Sequence, residues 1–268
     1  MSAGRRLLRS LLLALHLVAG LVLVGWRLVV SRGGFHTAAF RDTVRQWHRR
    51  ACRILGIRVL VHGDPPPPPV LVVSNHVSWL DIPVLASVLN PLFLSKAEVR
   101  RWPLIGWLAM GAGTLFIERG RPGQADRAVR ALADALREGR EVLFFPEGTT
   151  SDGSRVRRFH PRLFQAAIDA GAPLQPVALC YRAAVGVDKR LAFTGDNSAL
   201  RVLWEVLGRR ESRVELYLLA PITAGGTRDA LAKQARAGIA EVVERCNAAR
   251  DGSRGTETRG ASHGTRRS

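Results

Sequence analysis

Apolar residues run almost unbroken from Leu11 to Val30, interrupted only by His16 near the start and Arg27 near the end. About 20 residues rising ~1.5 Å each span ~30 Å as a helix, the thickness of a bilayer's hydrocarbon core. The run is long for the apolar part of a signal peptide and no A-x-A cleavage pattern follows it, so it reads as an uncleaved membrane anchor. Trp26 suits a membrane interface and Arg27 can snorkel. Arginines stand on both flanks (Arg5, Arg6 and Arg9 before; Arg32, Arg41 and Arg45 after), so a count of positive charge sets no orientation. A spanning helix and a half-inserted one both stay open. From Thr37 to Leu55, Ala38, Val44, Trp47, Ala51 and Leu55 recur at helical spacing, with Arg41, Arg45, Arg49 and Arg53 elsewhere around the wheel. Two readings fit this basic amphipathic helix: a segment lying on anionic lipid, and a domain helix with a solvated basic face.

The pattern then alternates. A short apolar segment, Arg58 to Val61, precedes five prolines, Pro65 to Pro69, which form a stiff spacer. Val70 to Ser74 is continuously apolar, as in a strand buried on both faces. A helical stretch reaches about Val88, and short apolar pieces follow at Leu92–Ser95 and Thr114–Ile117. Gln124–Glu138 carries a helical stripe (Ala125, Ala128, Val129, Leu132, Leu136) that stops at Gly139. Further strands are expected at Glu141–Phe145, Val177–Tyr181 and Val214–Leu219, and further helices at Leu163–Ala170 and Thr227–Ala249. This alternation predicts an α/β fold with a central, mostly parallel sheet flanked by helices. The chain divides into an anchor with its amphipathic helix (1–56), an α/β domain (57–250) and a Gly-, Ser-, Thr- and Arg-rich tail (251–268) expected to be disordered.

Composition narrows the classes. Of 268 residues, 47% are hydrophobic, which excludes a wholly disordered chain, and 23% are charged, which excludes a multi-span membrane protein. A formal charge of +18 points to polyanionic partners: nucleic acid, anionic lipid or phosphorylated ligands. Only three of the 40 basic residues are lysines (Lys96, Lys189, Lys233), so part of the arginine content reflects coding bias. Three scattered cysteines, Cys52, Cys180 and Cys246, make neither a disulfide framework nor a zinc pattern, and read as buried reduced thiols; no metal is expected.

In an open α/β sheet, ligands bind beyond the carboxyl ends of strands. There the chain places Asn75-His76-Val77-Ser78-Trp79-Leu80-Asp81, then Glu118-Arg119, then Pro146-Glu147-Gly148-Thr149-Thr150-Ser151. His76 and Asp81 are suited to be a base and its orienting carboxylate if the chain curls between them, since five residues along a straight helix would turn them apart. Ser78-x-x-Asp81 is also a capping-box pattern, in which Asp81 serves only a helix start. There is no G-x-S-x-G elbow, P-loop or H-E-x-x-H motif, and no cysteine nucleophile near a histidine, so His76 suits direct activation of a substrate hydroxyl.

These blocks resemble the glycerolipid acyltransferases, the family of 1-acylglycerol-3-phosphate acyltransferases. Asn75-His76-x-x-x-x-Asp81 is similar to their first block, Gly113-Thr114-Leu115-Phe116-Ile117-Glu118-Arg119 to the second, Phe145-Pro146-Glu147-Gly148-Thr149-Thr150-Ser151 to the third and Pro176-Val177-Ala178 to the fourth. The resemblance implies catalysis by His76 and Asp81, with Arg119, Glu147, Gly148 and Thr149 holding the acceptor's head and Lys96 a further candidate for it. It implies no cofactor, with acyl-CoA or acyl carrier protein as acyl donor, and a location on the cytoplasmic face of the inner membrane. Membrane lipids and the polyanionic donor then account for the positive charge without nucleic acid; a membrane-tethered nucleic-acid or anionic-lipid binder, the competing class, leaves His76 and the Glu147 turn unexplained. The commoner family assignment makes lysophosphatidate the acceptor, acylated at its sn-2 hydroxyl. Family members acting on phosphate acceptors often carry a basic residue where this chain has Thr150, and the Thr-Thr-Ser-Asp-Gly stretch looks like that of lyso-ornithine-lipid acyltransferases, so that acceptor stands as the alternative.

Overall fold

The computed structural model describes residues 2–30, 38–118, 123–194 and 198–249. Its strands are β1 (Ile57–His62), β2 (Val70–Ser74), β3 (Leu92–Lys96), β4 (Leu115–Ile117), β5 (Glu141–Phe144), β6 (Leu174–Arg182) and β7 (Ser212–Leu218). They form one sheet in the order β1-β7-β6-β2-β5-β3-β4. All neighbours run parallel except β6 and β7. A mostly parallel sheet was expected; the antiparallel pair was not legible, because hydrophobic patterning carries no strand direction. β2 lies at the centre with all five residues buried, as its unbroken apolar run requires. The expected strand Val177–Tyr181 extends three residues earlier and contains Pro176.

Helices cover both faces. Against one lie α5 (Gln124–Arg137), α6 (Gln165–Ala170) and α8 (Arg228–Ala248), which pack Val129, Leu132, Ala167, Ile239 and Val243 on Leu71, Val73, Val142 and Phe144. Against the other lie α2 (Ala38–Leu55), α3 (Asp81–Val88) and α7 (Ala199–Gly208), with Leu55, Val84, Leu85, Val202 and Val206 on Val70, Val72, Leu143, Val177 and Leu179. Residues 70 to 73 thus alternate between two cores, the period-two geometry of a strand. All three cysteines are free and buried. Helix α7 and the short α4 (Ile105–Gly111) were not expected. For α7 the signal was present, a stripe of Val202, Val206 and Leu207 behind the Ser198 cap, whereas the short α4, apolar throughout, has no polar face to set a period. The tail from residue 251 lies outside the described residues.

Helix α2 packs on the domain: Arg49 Nε donates to Ser87 O at 2.7 Å, and Cys52 Sγ to Pro83 O at 3.5 Å, both on α3. Helix α1 (Ser2–Val30) packs along its length on the domain. Arg5 donates to Gly208 O at 3.0 Å and Arg9 to Arg209 O at 2.6 Å, so guanidinium groups meet the carbonyls that close α7. Further along, His16 stacks on Trp47 at 4.4 Å between ring centres. A Cβ on Gly20 would come within 2.9 Å of Leu108 and Trp47, so that helix crossing needs a glycine. Leu7, Leu11, Leu15, Val18, Val22 and Trp26, spaced three or four apart, face outward and are exposed. Among the described residues this is the one helix long and apolar enough to cross a membrane.

Candidate active site

Because β2, β3, β4 and β5 are mutually parallel, their carboxyl ends share one edge of the sheet. The loops that leave it carry Asn75-His76 after β2, Glu118 after β4 and residues 145–151 after β5, while Lys96 ends β3. The chain does curl between His76 and Asp81. Asp81 is the first residue of α3 and wholly buried. Its Oδ2 lies 2.7 Å from His76 Nδ1 and also accepts from Val77 N at 2.7 Å and Ser78 N at 3.0 Å. Of the two sequence readings of Asp81 the structure makes the contact with the imidazole; the carboxylate also accepts from the Ser78 amide, but Leu80 rather than Ser78 caps α3, so no capping box forms. The Ser78 hydroxyl is buried without a hydrogen-bond partner.

With both oxygens of the carboxyl already accepting, Nδ1 is assigned as the donor to Oδ2, and in the neutral ring of that tautomer Nε2 holds the lone pair. The ring is held flat against Phe145, 3.9 Å between centroids and 11° between planes. Its side chain is 20% exposed while that of Asp81 is 0% exposed, so the imidazole faces the mouth with its carboxylate behind it. The main chain of His76 is fixed as well. Its N–H donates to Glu147 Oε1 at 2.9 Å, and its carbonyl accepts from Ser151 N at 2.8 Å.

An acyltransferase family model matches residues 58–180. A lyso-ornithine lipid O-acyltransferase of Pseudomonas aeruginosa is 43% identical over 242 residues, covering 89% of this chain and 93% of that one. This chain belongs to the acyltransferase family. A 1-acyl-sn-glycerol-3-phosphate acyltransferase of Neisseria meningitidis is 35% identical over 191 residues, 70% of this chain and 75% of the relative. The crystal structure of the 1-acyl-sn-glycerophosphate acyltransferase PlsC from Thermotoga maritima shares the fold, with a TM-score of 0.69 at 23% identity over 94% of this chain and all of that one. The chain is thus an acyltransferase of the lysophospholipid type, and its apolar N-terminal helix together with its lipid-modifying relatives associates it with the membrane.

The remaining expected residues of the acyltransferase divide. Glu147 is buried and turned inward: besides the His76 amide it accepts from Arg157 N at 3.1 Å through Oε2, so both its oxygens are held by main chain. Burial pushes this carboxyl above its ordinary range, against the two amides that donate to it and the nearby His76, which pull it down. Gly148 closes the turn after β5 at φ 71, a conformation a side chain would strain, and donates to Phe145 O at 3.1 Å. Thr149 is exposed at that turn, and Lys96 is exposed at the end of β3. Arg119 lies outside the described residues. Thr150 turns its hydroxyl into a hydrogen bond with Phe193 O.

Two residues were not singled out from sequence. Asn75, buried beside His76, donates to Leu179 O at 2.9 Å and accepts from Leu179 N at 2.8 Å. Tyr181 donates to Asp81 Oδ1 at 2.6 Å. Adjacency to a histidine was a signal for the first. For a tyrosine a hundred residues away on an apolar strand there was none.

Proposed function

We propose that this acyltransferase esterifies the hydroxyl of lyso-ornithine lipid with a fatty acyl group from an acyl thioester, acyl-CoA or acyl carrier protein, using His76 as general base. The observation that carries the mechanism is the 2.7 Å contact between His76 Nδ1 and a fully buried Asp81. Nε2 takes the proton of the acceptor hydroxyl as its oxygen attacks the thioester carbonyl. The tetrahedral adduct collapses, the C–S bond breaks, and the imidazolium returns the proton to the departing thiolate, leaving ester and free thiol. Asp81 stabilises the imidazolium formed between these steps and holds the tautomer that starts them. No covalent acyl-enzyme is needed. Glu147 acts from behind, holding the main chain at His76, while Gly148 and Thr149, with Lys96 and Arg119, meet the acceptor's polar head.

For the acceptor, the support is the 43% identical relative and the state of Thr150, which is uncharged and bonded to Phe193. A guanidinium there would grip a phosphate with two hydrogen bonds; an ornithine head carries instead a carboxylate and an ammonium. Lysophosphatidate, giving phosphatidate, is the second reading. The 35% identical relative favours it, as do Arg155, Arg157 and Arg158, exposed in the loop after the third block and able to meet a phosphate. The exposed stripe of α1 lies on a bilayer, and the thioester donors put the mouth on the cytoplasmic face. The test offers both lysolipids side by side in mixed vesicles with a labelled donor, to wild type and His76→Ala. Product on lyso-ornithine lipid alone is expected, with at least a 10³-fold loss in the variant. Product on lysophosphatidate alone would transfer the acceptor assignment, and an active variant would remove His76 from the chemistry.

A further inference from the structure

The two oxygens of Asp81 have different neighbours. Oδ2 takes the imidazole and two main-chain amides; Oδ1 takes the phenol of Tyr181 at 2.6 Å, the length of a hydroxyl bonded to a charged oxygen. Tyr181 is wholly buried on β6, on the α3 side of the sheet, in a cluster otherwise built of Val, Leu, Ile, Ala, Phe and Cys. A phenylalanine would fill that space without taking a hydroxyl out of water, so packing alone does not account for the tyrosine. Burial, joined by the negative charge of Asp81, pushes the phenol well above its usual range, which keeps it a donor at every working pH.

We propose that Tyr181 is a positioning residue for acyl transfer: its hydroxyl fixes the rotation of the Asp81 carboxylate and draws part of its charge, so that Oδ2 faces His76 in one orientation. The inference rests on His76 being the base. Tyr181 sits behind Asp81 and acts through it. Two other titratable groups face this cluster from neighbouring elements: Glu147 from the loop after β5, and Cys52 of α2, whose thiol burial pushes up to about 12 and so keeps neutral.

The experiment compares Tyr181→Phe, Asp81→Asn and their double variant with wild type in vesicles, reading kcat, KM and the pH profile. Tyr181→Phe is expected to lower kcat about 10- to 30-fold with acceptor KM within twofold. Without the phenol, more carboxylate charge faces the ring and favours its protonated form, so the acid limb of kcat/KM moves to higher pH. In the Asp81→Asn background the same change has less than a twofold effect. The chain has two tyrosines, so fluorotyrosine incorporated in a Tyr217→Phe background labels Tyr181 alone. A more acidic phenol strengthens the bond and moves the limb the opposite way, a readout that survives if Tyr181→Phe does not fold. Unchanged kcat and superimposed profiles, or no limb shift with fluorotyrosine, would overturn the proposal while an inactive His76→Ala leaves the base assignment standing. An active His76→Ala removes the base assignment itself and, with it, this inference.

Discussion

The side-chain amide of Asn75 pairs with the main chain of Leu179 at both ends, donating at 2.9 Å and accepting at 2.8 Å. β2 ends one residue earlier at Ser74, whose register partner on β6 is Val177. The amide therefore continues the ladder past the strand end, satisfying β6 where no backbone remains to do so. Asn75→Ala leaves a buried N–H and C=O without partners, at about 1–3 kcal/mol each. A fall of roughly 2–6 kcal/mol in unfolding free energy is expected in urea titration. A loss under about 0.5 kcal/mol, the scale of an ordinary surface substitution, would mean that water already serves these groups.

Glu147 clamps the main chain at His76 and Arg157. One oxygen holds the His76 amide and the other the Arg157 amide. Glutamine keeps one acceptor and turns its NH2 against the second donor. Glu147→Gln is expected to cost about 1–3 kcal/mol in stability and to lower kcat roughly tenfold. Raised acceptor KM with normal kcat would instead assign Glu147 to head-group binding.

Glu141 stands at the opposite end of β5 from the site. Its Oε2 accepts from Asn90 N at 3.0 Å, while Oε1 is buried without a partner. Burial pushes this carboxyl from 4.5 up to about 7, opposed by the Asn90 amide and by Arg45 and Arg41. The folded state therefore holds the proton more firmly than the unfolded chain. That contribution is complete below pH 4.5 and is lost as pH rises through about 7. A displacement of this size is on the order of 3 kcal/mol. Unfolding titrations across this window should show Glu141→Gln gaining on wild type by up to that amount; parallel curves would contradict the shift.

Helix α1 has one face on the domain and one stripe free. Its inward face carries His16 and Gly20, and its outward face Leu15 and Val22, 58% and 66% exposed. On the proposal that this exposed stripe rests on the bilayer, its apolar side chains are the ones that meet lipid. Withdrawing a Leu and a Val from lipid costs about 1.5–3 kcal/mol each. Leu15→Glu combined with Val22→Glu is therefore expected to weaken vesicle binding at least 10²-fold in flotation, with circular dichroism unchanged. Undiminished flotation would place the membrane contact elsewhere.

What the chain determined by itself was whatever depends on neighbours a few residues apart. Alternating periods marked the strands and helices of a layered α/β domain, the unbroken run at Val70–Ser74 marked a strand buried on both faces, and the run from Leu11 marked a helix long and apolar enough to cross a membrane. The polar blocks at strand ends marked the site, because residue type and order survive without coordinates. Tertiary structure decided what depends on strand order. Leu179 and Tyr181 reach Asn75 and Asp81 across separations of 104 and 100 residues, because β6 lies beside β2 in the sheet. The same holds for Glu147, whose residue type fitted a ligand contact but whose burial turned it toward the His76 main chain, and for α1, whose apolar run did not tell that its inward face meets α2 and α7. Local periodicity reports only which side of an element avoids water. Which partner covers that side is a property of the assembled sheet, whose contacts form between segments that the chain keeps far apart.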